Sequence, residues 1–332
     1  MTIAVDALSE FLRTVKLSGA LFYDARCSAP WCIRSPPTRR FRQYVAPAGN
    51  HVIEFHLVTS GRCYVRVGND TTALSAGDIV MMPQGDEHYM GNGVGSPVID
   101  GEAAMHKLVT REIELETLGG GGEETQLVCG YLACDERLMQ PILAGLPRVV
   151  RVRLRDDAAG TWLESTIRHT VDQAASGAPG SNVVLGRLAE VVFVEALRRY
   201  VVQLPAGHTG WLAGAADPAI GRALAALHRR PEHSWTLDEL ARDAALSRSA
   251  LTERFARYLG QGPMTYLADW RLELAAEALR TTTLGVAEIA ARVGYESEAA
   301  FNRAFKRRFA LPPARYRRDR RGGEHEPAQT GT

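Results

Sequence analysis

The sequence Thr236-Leu-Asp-Glu-Leu-Ala-Arg-Asp-Ala-Ala-Leu246 is followed directly by Ser247-Arg-Ser-Ala-Leu-Thr-Glu-Arg-Phe-Ala-Arg-Tyr-Leu-Gly260, and together they predict two helices joined by a tight turn. Thr236 and Glu239 have the spacing of a capping box at the start of the first helix. Ser247 is a favourable N-cap for the second helix, because its hydroxyl can accept a hydrogen bond from a backbone N–H of the first turn. The pattern therefore predicts a helix-turn-helix unit.

The same order of features returns fifty residues later, where Ser297 takes the position of Ser247. The segment before it, Val286-Ala-Glu-Ile-Ala-Ala-Arg-Val-Gly-Tyr295, predicts a helix that ends near Gly294, where a left-handed residue is favoured. The sequence therefore carries two copies of one helical pattern.

In each copy the second helix has one apolar face and one polar face. The residues expected to point inward are Leu251, Phe255 and Tyr258 in the first copy and Phe301, Phe305 and Phe309 in the second. The residues expected to be exposed are Arg248, Ser249, Thr252 and Glu253 in the first copy and Glu298, Asn302, Arg303, Lys306 and Arg307 in the second. Asn and Arg hydrogen-bond base edges, and Lys and Arg also neutralise phosphates, so these faces indicate DNA binding.

A single helix is predicted between the two copies, from Pro263 to Leu279. A rigid rod of that length can hold two recognition helices in successive major grooves, roughly 34 Å apart on one face of DNA. Residues 217–321 hold 19 basic and 13 acidic side chains, whereas residues 1–216 hold 20 basic and 23 acidic ones. The basic excess therefore lies with the two copies, as binding to double-stranded DNA requires. The plainer alternative is a helical bundle whose charged faces only meet solvent.

Three runs carry a resemblance to a known family: Ile289-Ala-Ala-Arg-Val-Gly-Tyr295, Phe301-Asn-Arg-Ala-Phe-Lys306 and Pro312-Pro313. On these runs, residues 217–318 resemble the AraC/XylS family of bacterial transcription regulators. The resemblance implies that the exposed residues of both second helices contact promoter DNA, and that RNA polymerase is a further partner. Relatives often carry Arg where this chain has Glu253. An acid there would accept a hydrogen bond from a cytosine amino group or weaken the grip of the first copy.

The first 216 residues follow a different pattern. From Gly19 to about Tyr131, short alternating segments such as Val52-Ile-Glu-Phe-His-Leu-Val58 are separated by Gly, Pro, Asn and Asp. Many short strands at this spacing predict a β-barrel or a sandwich. With 332 residues, of which 45% are hydrophobic, the chain is long enough for two domains with separate cores. We therefore predict an α+β protein, with a barrel flanked by helices ahead of an all-α domain.

A second resemblance lies in Gly77-Asp-Ile-Val-Met-Met-Pro83-Gln-Gly85-Asp-Glu-His88-Tyr-Met-Gly-Asn92, which has the spacing of the second cupin motif. Glu54 lies seven residues before Gly61, as in the first cupin motif. The strand-rich segment therefore resembles a cupin barrel. The predicted fold of this part is a cupin-like sensor domain.

The same resemblance implies a metal site that this sequence does not complete. The two histidines that bind metal in cupins are expected near Ala48 and Asn50. His51 lies an odd number of residues from Glu54, so a regular strand places the two side chains on opposite faces. We therefore predict neither a metal ion nor another cofactor.

Three polar residues are candidates for the interior of the barrel, namely Glu54, His56 and His88. For the two histidines a hydrogen-bonded structural role ranks first, a pocket for a small effector ranks second, and catalysis ranks last. No Gly-x-Ser-x-Gly elbow, His-Glu-x-x-His helix or other nucleophile pattern is found. No catalytic residue is predicted.

Helical periodicity returns in residues 161–173 and 183–202. The second segment is apolar over more than one face, which indicates a core or an interface helix. Regulators of the AraC family commonly dimerise through helices after the barrel, so a homodimer is expected, with padding of the barrel as the alternative. The predicted domains are a sensor domain at residues 1–204, a linker at 205–216, a double helix-turn-helix domain at 217–318 and a disordered tail at 319–332.

The chain has five cysteines, an odd number, and neither a secretory leader nor an apolar run long enough to span a membrane. A cytoplasmic protein without a disulfide framework is therefore expected. The plain interpretation is that Cys63 and Cys129 are small buried hydrophobes. The chain also resembles a cupin-bearing AraC subgroup with a thiol-based oxidant sensor. A second hypothesis is therefore that a pair among Cys27, Cys32, Cys63 and Cys129 oxidises, with Cys27 and Cys32 expected at the surface.

Three classes of function follow from these observations. The leading prediction is a one-component transcription regulator that responds to a small molecule or an oxidant. The alternative is a metal-dependent cupin enzyme fused to a DNA-binding domain. The third is a DNA-binding partner protein without a ligand of its own.

Overall fold

The computed structural model describes residues 6–19, 23–45, 51–102 and 118–322. The chain forms two compact units. Residues 15–206 form the strand-rich unit, whereas the residues up to Thr14 join those from Gly207 onward in the helical unit. Within the described ranges, no helix is both long and apolar enough to cross a membrane.

The strand-rich unit contains two sheets. Its strands are β1 (Ser18–Gly19), β2 (Tyr23–Ser28), β3 (Trp31–Ser35), β4 (His51–Ser60), β5 (Arg62–Val67), β6 (Asp70–Ser75), β7 (Asp78–Met82), β8 (His88–Asn92), β9 (Val98–Asp100), β10 (Leu118–Gly119), β11 (Glu124–Cys134) and β12 (Val150–Arg153). The first sheet has the order β10-β2-β11-β4-β7-β12, with β1 also paired to β11, and the second has the order β6-β5-β8-β3-β9. Neighbouring strands are antiparallel except for β10 with β2 and β3 with β9.

The two sheets share an apolar core, in which Val58 and Val80 of the first sheet pack with Val65 and Met90 of the second. In β4 only Ser60 is exposed, so the strand buries four polar residues, His51, Glu54, His56 and Thr59, together with its apolar ones. Among the described residues no strand ladder joins the two sheets, so the predicted barrel has the form of two sheets around one core. The predicted α+β class, with a strand-rich unit and a helical unit, is confirmed.

Among the described residues, the strand-rich unit has four α-helices whose full bounds are known, besides a 3-10 helix at Thr38–Arg40. They are α2 (Arg42–Val45), α3 (Glu136–Leu143), α4 (Ala158–Ala175) and α5 (Ser181–Val202). α5 packs against α4 on one side and against β1, β11 and β12 on another. Its inward residues include Leu185, Val192 and Leu197, whereas Val191 and Val202 are exposed. The apolar surface of α5 is therefore only partly covered within this unit.

The helical unit contains both copies of the repeated pattern. Its helices are α1 (Ala7–Thr14), α6 (Trp211–Ala216), α7 (Pro218–Arg229), α8 (Leu237–Asp243), α9 (Arg248–Leu259), α10 (Pro263–Thr281), α11 (Val286–Arg292), α12 (Glu298–Phe309) and α13 (Pro313–Gly322). α8 and α9 form the first copy, α11 and α12 form the second, and α10 is the continuous helix between them, with contacts to α9, α11 and α12. Leu251, Phe255, Phe301 and Phe305 are buried as expected, but Tyr258 and Phe309 are only partly buried.

The helix starts follow from local hydrogen bonds. Ser247 Oγ accepts from the backbone N–H of Ala250 at 3.2 Å, and Ser297 Oγ accepts from that of Ala300 at 3.2 Å. Thr236 caps α8 by accepting from the backbone N–H of Glu239. The Glu239 carboxylate, however, contacts a ring nitrogen of His233 at 2.8 Å. This contact takes the place of the hydrogen bond that a capping box would form between Glu239 and the backbone N–H of Thr236.

The two tight turns use different residues in the same conformation. Gly294 has the expected left-handed backbone, with a φ of 86°. Ala245 adopts a left-handed φ of 55° in the first copy, a conformation that its Cβ disfavours. The first turn is therefore held by the packing around it, since Ala241 and Ala244, which lead into the turn, are buried.

The position of the N-terminal helix differs from the prediction of a sensor domain at residues 1–204. α1 packs in the helical unit, mainly on α7. Phe11 is fully buried there, and its ring lies 4.7 Å from that of Trp211 and 5.2 Å from that of His228. The apolar face of this helix is thus covered by residues more than 190 positions away in the sequence. Periodicity identifies such a face but not its partner.

Two further boundaries differ from the prediction. The predicted linker, residues 205–216, contains α6, and Trp211 at its start is 2% exposed, so this segment belongs to the core of the helical unit. α13 extends to Gly322, which places the first four residues of the predicted tail in a helix. The rest of that tail lies outside the described residues.

Candidate functional site

The first candidate site is the polar face of α9. All four residues expected there, Arg248, Ser249, Thr252 and Glu253, are exposed. Arg248 Nε lies 3.3 Å from Asp238 Oδ1 of α8, and both side chains are more than 60% exposed. An exposed pair of this kind is weak, so Arg248 can exchange it for another partner.

The corresponding face of α12 is more basic. Arg303, Lys306 and Arg307 are exposed, and among the described residues none of them forms an ion pair. Glu298 is exposed as well, and Asn302 is half-buried, with 3.5 Å between its Nδ2 and Oε1 of Glu298. Because these three cations have no anionic partner among the described residues, the polar face of α12 is more strongly basic than that of α9.

The second candidate site is a buried polar cluster between the two sheets, made of Glu54, His56 and His88. Glu54 and His56 alternate on β4 and therefore share a face, and His88 begins β8 of the other sheet. One ligand atom from each residue lies within 4.8 Å of the others, and the three residues are 3%, 2% and 0% exposed. The structure brings together the three residues that the sequence singled out for the interior.

A fourth member, Cys129, was predicted only as a buried hydrophobe or a redox cysteine. Cys129 on β11 pairs in register with His56 on β4, and its Sγ lies 2.9 Å from Nδ1 of His56. The partnership depends on strand register between segments 73 residues apart, which no local pattern reveals.

The hydrogen bonds in this cluster form a directed chain. Burial lowers the pKa of His88 to about 4 and that of His56 well below its usual value, so both rings are neutral near pH 7. Nδ1 of His88 lies 3.1 Å from the carbonyl oxygen of Asp86 and must donate to it, which leaves its Nε2 as an acceptor. Nε2 of His56, 2.9 Å away, therefore donates to His88. The remaining nitrogen, Nδ1 of His56, then accepts from the thiol of Cys129.

Glu54 is less well satisfied than the histidines. Burial raises its pKa to about 8, although a hydrogen bond from Ser35 acts in the opposite direction. Its Oε1 lies 3.6 Å from Nε2 of His56, and its Oε2 is buried without a hydrogen-bond partner. A buried carboxyl oxygen without a partner usually costs about 1–3 kcal/mol, which makes Glu54 the strained member of the cluster.

The donor set fits the metal ion that a cupin domain implies. Two imidazole nitrogens and a carboxylate oxygen are ligands of divalent transition metals. The missing cupin histidines were expected near Ala48 and Asn50. Both positions lie outside the described residues. His51 lies apart from the cluster, as its odd spacing predicted, with its Nε2 2.7 Å from the carbonyl oxygen of Pro83.

The cysteines do not lie where the redox hypothesis expected them. All five are buried thiols, and Cys27 and Cys32 are 1% and 7% exposed, so their predicted surface position is wrong. Burial raises the pKa of Cys27 to about 11 and that of Cys63 to about 12. Because the thiolate is the reactive form, these two thiols are poorly reactive in the folded chain.

Comparison with known proteins adds two family matches. A family described as "Cupin" matches residues 6–202, and one described as "Helix-turn-helix domain" matches residues 240–319. A putative AraC-like transcription regulator of Streptomyces lividans is 32% identical over 319 residues, which cover 95% of this chain and 98% of that protein. Another, from Streptomyces antibioticus, is 35% identical over 273 residues, covering 80% of this chain and 87% of the relative.

Among solved structures, the DNA-binding domain of the transcriptional factor AdpA, in complex with a target DNA, is 28% identical to the matched part. The match covers 35% of this chain and 100% of that domain, with a TM-score of 0.31.

Proposed function

Because the chain belongs to the AraC family of transcription regulators, with a cupin domain ahead of its helix-turn-helix domain, we propose that it is a one-component regulator of transcription. It binds double-stranded promoter DNA through α9 and α12 and receives its signal in the cupin unit. The observation that carries this proposal is the pair of capped helices with exposed polar faces, joined by the continuous helix α10.

The two recognition helices contribute differently to binding. Arg303, Lys306 and Arg307 of α12 supply most of the electrostatic attraction, because none of them has an anionic partner in the part of the chain that the structure describes. α9 contributes base contacts through Arg248, Ser249 and Thr252, while Glu253 restricts the bases that it accepts. Glu298 and Asn302 supply the corresponding contacts from α12. On this view the first copy adds selectivity and the second adds affinity.

Two protein partners follow from the family. In α5, Val202 is 86% exposed and Val183 is 70% exposed. These exposed valines support a homodimer that pairs through this helix. RNA polymerase is the second partner, by resemblance to the family. A regulator of this kind acts on chromosomal DNA, so we place it in the cytoplasm.

The alternative is an enzyme, in which the Glu54 cluster would hold a catalytic metal ion. Burial of the cluster supports the regulator instead, because Glu54, His56 and His88 are each at most 3% exposed and a substrate needs access to the reacting centre. The relatives compared above also carry the names of transcription regulators. We therefore propose that the cupin unit senses and does not catalyse.

The decisive experiment is DNA binding by the full chain. Fluorescence anisotropy at one fixed salt concentration would compare the duplex upstream of its own gene with a duplex of the same composition and shuffled order. A regulator should bind the first duplex at least about 10³-fold more tightly. Equal affinity for both duplexes would contradict sequence-specific regulation, since phosphate contacts alone do not distinguish them.

A further inference from the structure

We propose that Glu54, His56 and His88 bind one divalent transition-metal ion, and that this ion is the signal received by the strand-rich unit. In this set of ligands, His56 replaces the two histidines that cupins carry ahead of the glutamate. The signalling part rests on the regulator function proposed above, whereas the metal site itself does not. The site is a rebuilt one, because its second histidine follows Glu54 on β4 instead of preceding it.

The spacing of the donor atoms carries the first step. Nε2 of His56 and Nε2 of His88 are 2.9 Å apart, and Oε1 of Glu54 is 3.6 Å from Nε2 of His56. Two nitrogens that each lie about 2.1 Å from one ion, at right angles, are about 3.0 Å apart. The three atoms therefore stand as neighbouring ligands of one ion would stand.

The unpartnered oxygen of Glu54 carries the second step. Hydrogen bonding alone accounts for the two histidines, but it leaves Oε2 of Glu54 buried without a partner. A cation in contact with this oxygen would supply the partner that Oε2 of Glu54 lacks. The cluster is thus more completely satisfied with an ion than without one.

The chemistry of the ligands limits the choice of ion. Imidazole nitrogen favours Fe, Co, Ni, Cu and Zn, and two histidines with one carboxylate leave coordination positions open for other ligands. Calcium and magnesium are bound by oxygen ligands, so a site with two nitrogens discriminates against both. The ion is therefore expected to be a divalent transition metal.

The groups behind the histidines orient them. Nδ1–H of His88 is held by the carbonyl oxygen of Asp86, which turns Nε2 of the same ring toward Glu54 and His56. Cys129 is the positioning residue for His56. When Nε2 of His56 binds an ion, the ring proton moves to Nδ1, and the sulfur of Cys129 becomes the acceptor of the hydrogen bond that it now donates.

An ion in this position would join the two sheets of the unit. Glu54 and His56 lie on β4 of the first sheet and His88 on β8 of the second. Binding to the folded form alone stabilises that form by an amount that rises with the logarithm of the ion concentration once the concentration exceeds Kd. The separation of the sheets thus becomes sensitive to the ion, which is the property that a sensor unit needs.

The test uses the full chain, purified from cells grown with added Co²⁺ so that slow entry into a buried site is not limiting. Cobalt would be counted by elemental analysis after gel filtration and followed by its visible d–d absorption. The wild type should retain one ion per chain. Glu54→Gln and His88→Gln should retain none, whereas His51→Gln, a buried histidine on the same strand outside the cluster, should match the wild type.

Cys129→Ala tests the positioning role separately. It should weaken cobalt affinity roughly 10- to 100-fold, as the loss of an outer partner of a ligand does, and it should change the absorption spectrum without abolishing it. An affinity and a spectrum equal to those of the wild type would remove Cys129 from the site. An unchanged far-UV circular dichroism spectrum and gel-filtration volume for every variant would show that the chain still folds.

The remaining outcomes separate the two proposals. The metal site would be overturned if the wild type held no cobalt. It would also be overturned if the Glu54→Gln and His88→Gln proteins retained as much cobalt as the wild type. In either case the regulator function would stand if promoter preference is kept. Bound cobalt without promoter preference would overturn the regulator and keep the site. Equal promoter affinity with cobalt and after chelation would overturn the ion as the signal.

Discussion

Phe11, near the start of the chain, stacks on Trp270 in the helix that joins the two helix-turn-helix copies, with 5.4 Å between the ring centroids and an interplanar angle of 29°. Three residues after the end of α1, the chain enters β1 of the strand-rich unit. The helical unit therefore completes its aromatic core with a residue that precedes the whole strand-rich unit in sequence. Stability of the DNA-binding part thus depends on both ends of the sequence.

Phe11→Ala should destabilise the helical unit by about 3–5 kcal/mol, the usual cost of removing a buried phenylalanine. Urea unfolding of the full chain, followed by tryptophan fluorescence, would measure it, because Trp211 and Trp270 lie against Phe11. Lys16→Ala is the control, since Lys16 is exposed just beyond the same helix. An unchanged unfolding midpoint for Phe11→Ala would mean that α1 does not pack as described.

His228 should make the helical unit less stable in acid. Tyr266 OH accepts from Nε1–H of Trp211 and donates to Nε2 of His228, so the ring proton of His228 lies on its unpartnered, buried Nδ1. Burial lowers the pKa of His228 to about 3, whereas its usual value is 6.5. Between these values the unfolded chain binds a proton that the folded chain does not, so stability is lost as the pH falls.

The contribution of this one residue should approach about 1.4 kcal/mol for each pH unit in that range. Urea midpoints across the range would show a shallower pH dependence for His228→Gln than for the wild type. His208→Gln, which alters an exposed histidine of the same unit, should leave the slope unchanged. Equal slopes for the wild type and His228→Gln would show that His228 does not remain neutral in the folded chain.

The sequence predicts the helical unit well where the determinants are local. Ser247 and Ser297 mark the starts of α9 and α12, and Pro263 marks that of α10, because caps and N1 prolines act within one turn of helix. Trp211 was assigned to a linker, since Gly207, Gly210 and Gly214 around it are typical of loops. Its burial comes from Phe11 and Tyr266, which no window around residue 211 contains.

The turns of the two copies should respond in opposite ways to the exchange of Gly and Ala. Ala245→Gly should raise the free energy of unfolding by up to about 1 kcal/mol, because Gly adopts a left-handed φ without steric cost. Gly294→Ala should lower it by more than about 1 kcal/mol, since the new Cβ would lie 2.5 Å from the carbonyl oxygen of Glu232.

Ala256→Gly serves as the control for this pair, because Ala256 is exposed inside α9. It should lower stability by about 1 kcal/mol through helix propensity alone. If Ala245→Gly were destabilising to the same extent, the left-handed turn of the first copy would be excluded.

The cysteines should react with a thiol reagent only when the chain opens. All five are buried, so labelling of the native protein by an aromatic disulfide should be slow and should accelerate at the urea concentrations that unfold the strand-rich unit. Rapid labelling of Cys27 or Cys32 in the native chain would revive the surface redox pair. Cys27→Ser and Cys32→Ser identify which thiol reacts.

The interior of the strand-rich unit was predictable only in part. The alternation of Glu54 and His56 on one strand places both on the same face, and the cupin motif identifies His88, so the three candidates were found from sequence. Cys129 was not linked to them, because its place beside His56 is set by the register of β11 against β4. Register is a property of the assembled sheet, and a single strand sequence does not specify it.

Arg303 should read a base, whereas Lys306, one turn further along α12, should contact phosphate. Arg303→Ala should cost about 1–3 kcal/mol on the promoter duplex and relax preference at one base position. Lys306→Ala should weaken binding to all duplexes alike and lower the slope of log affinity against log salt by about 1. Anisotropy with a set of single-substitution duplexes, repeated at several salt concentrations, measures both effects.

Arg292→Ala provides the matched control, because this exposed arginine lies on α11, not on α12, and pairs with Glu288. It should change neither base preference nor salt dependence beyond the general loss of one surface charge. A uniform loss across all duplexes for Arg303→Ala would instead make Arg303 a phosphate contact. The selectivity of the second copy would then have to come from Glu298 and Asn302, the other polar residues on that face.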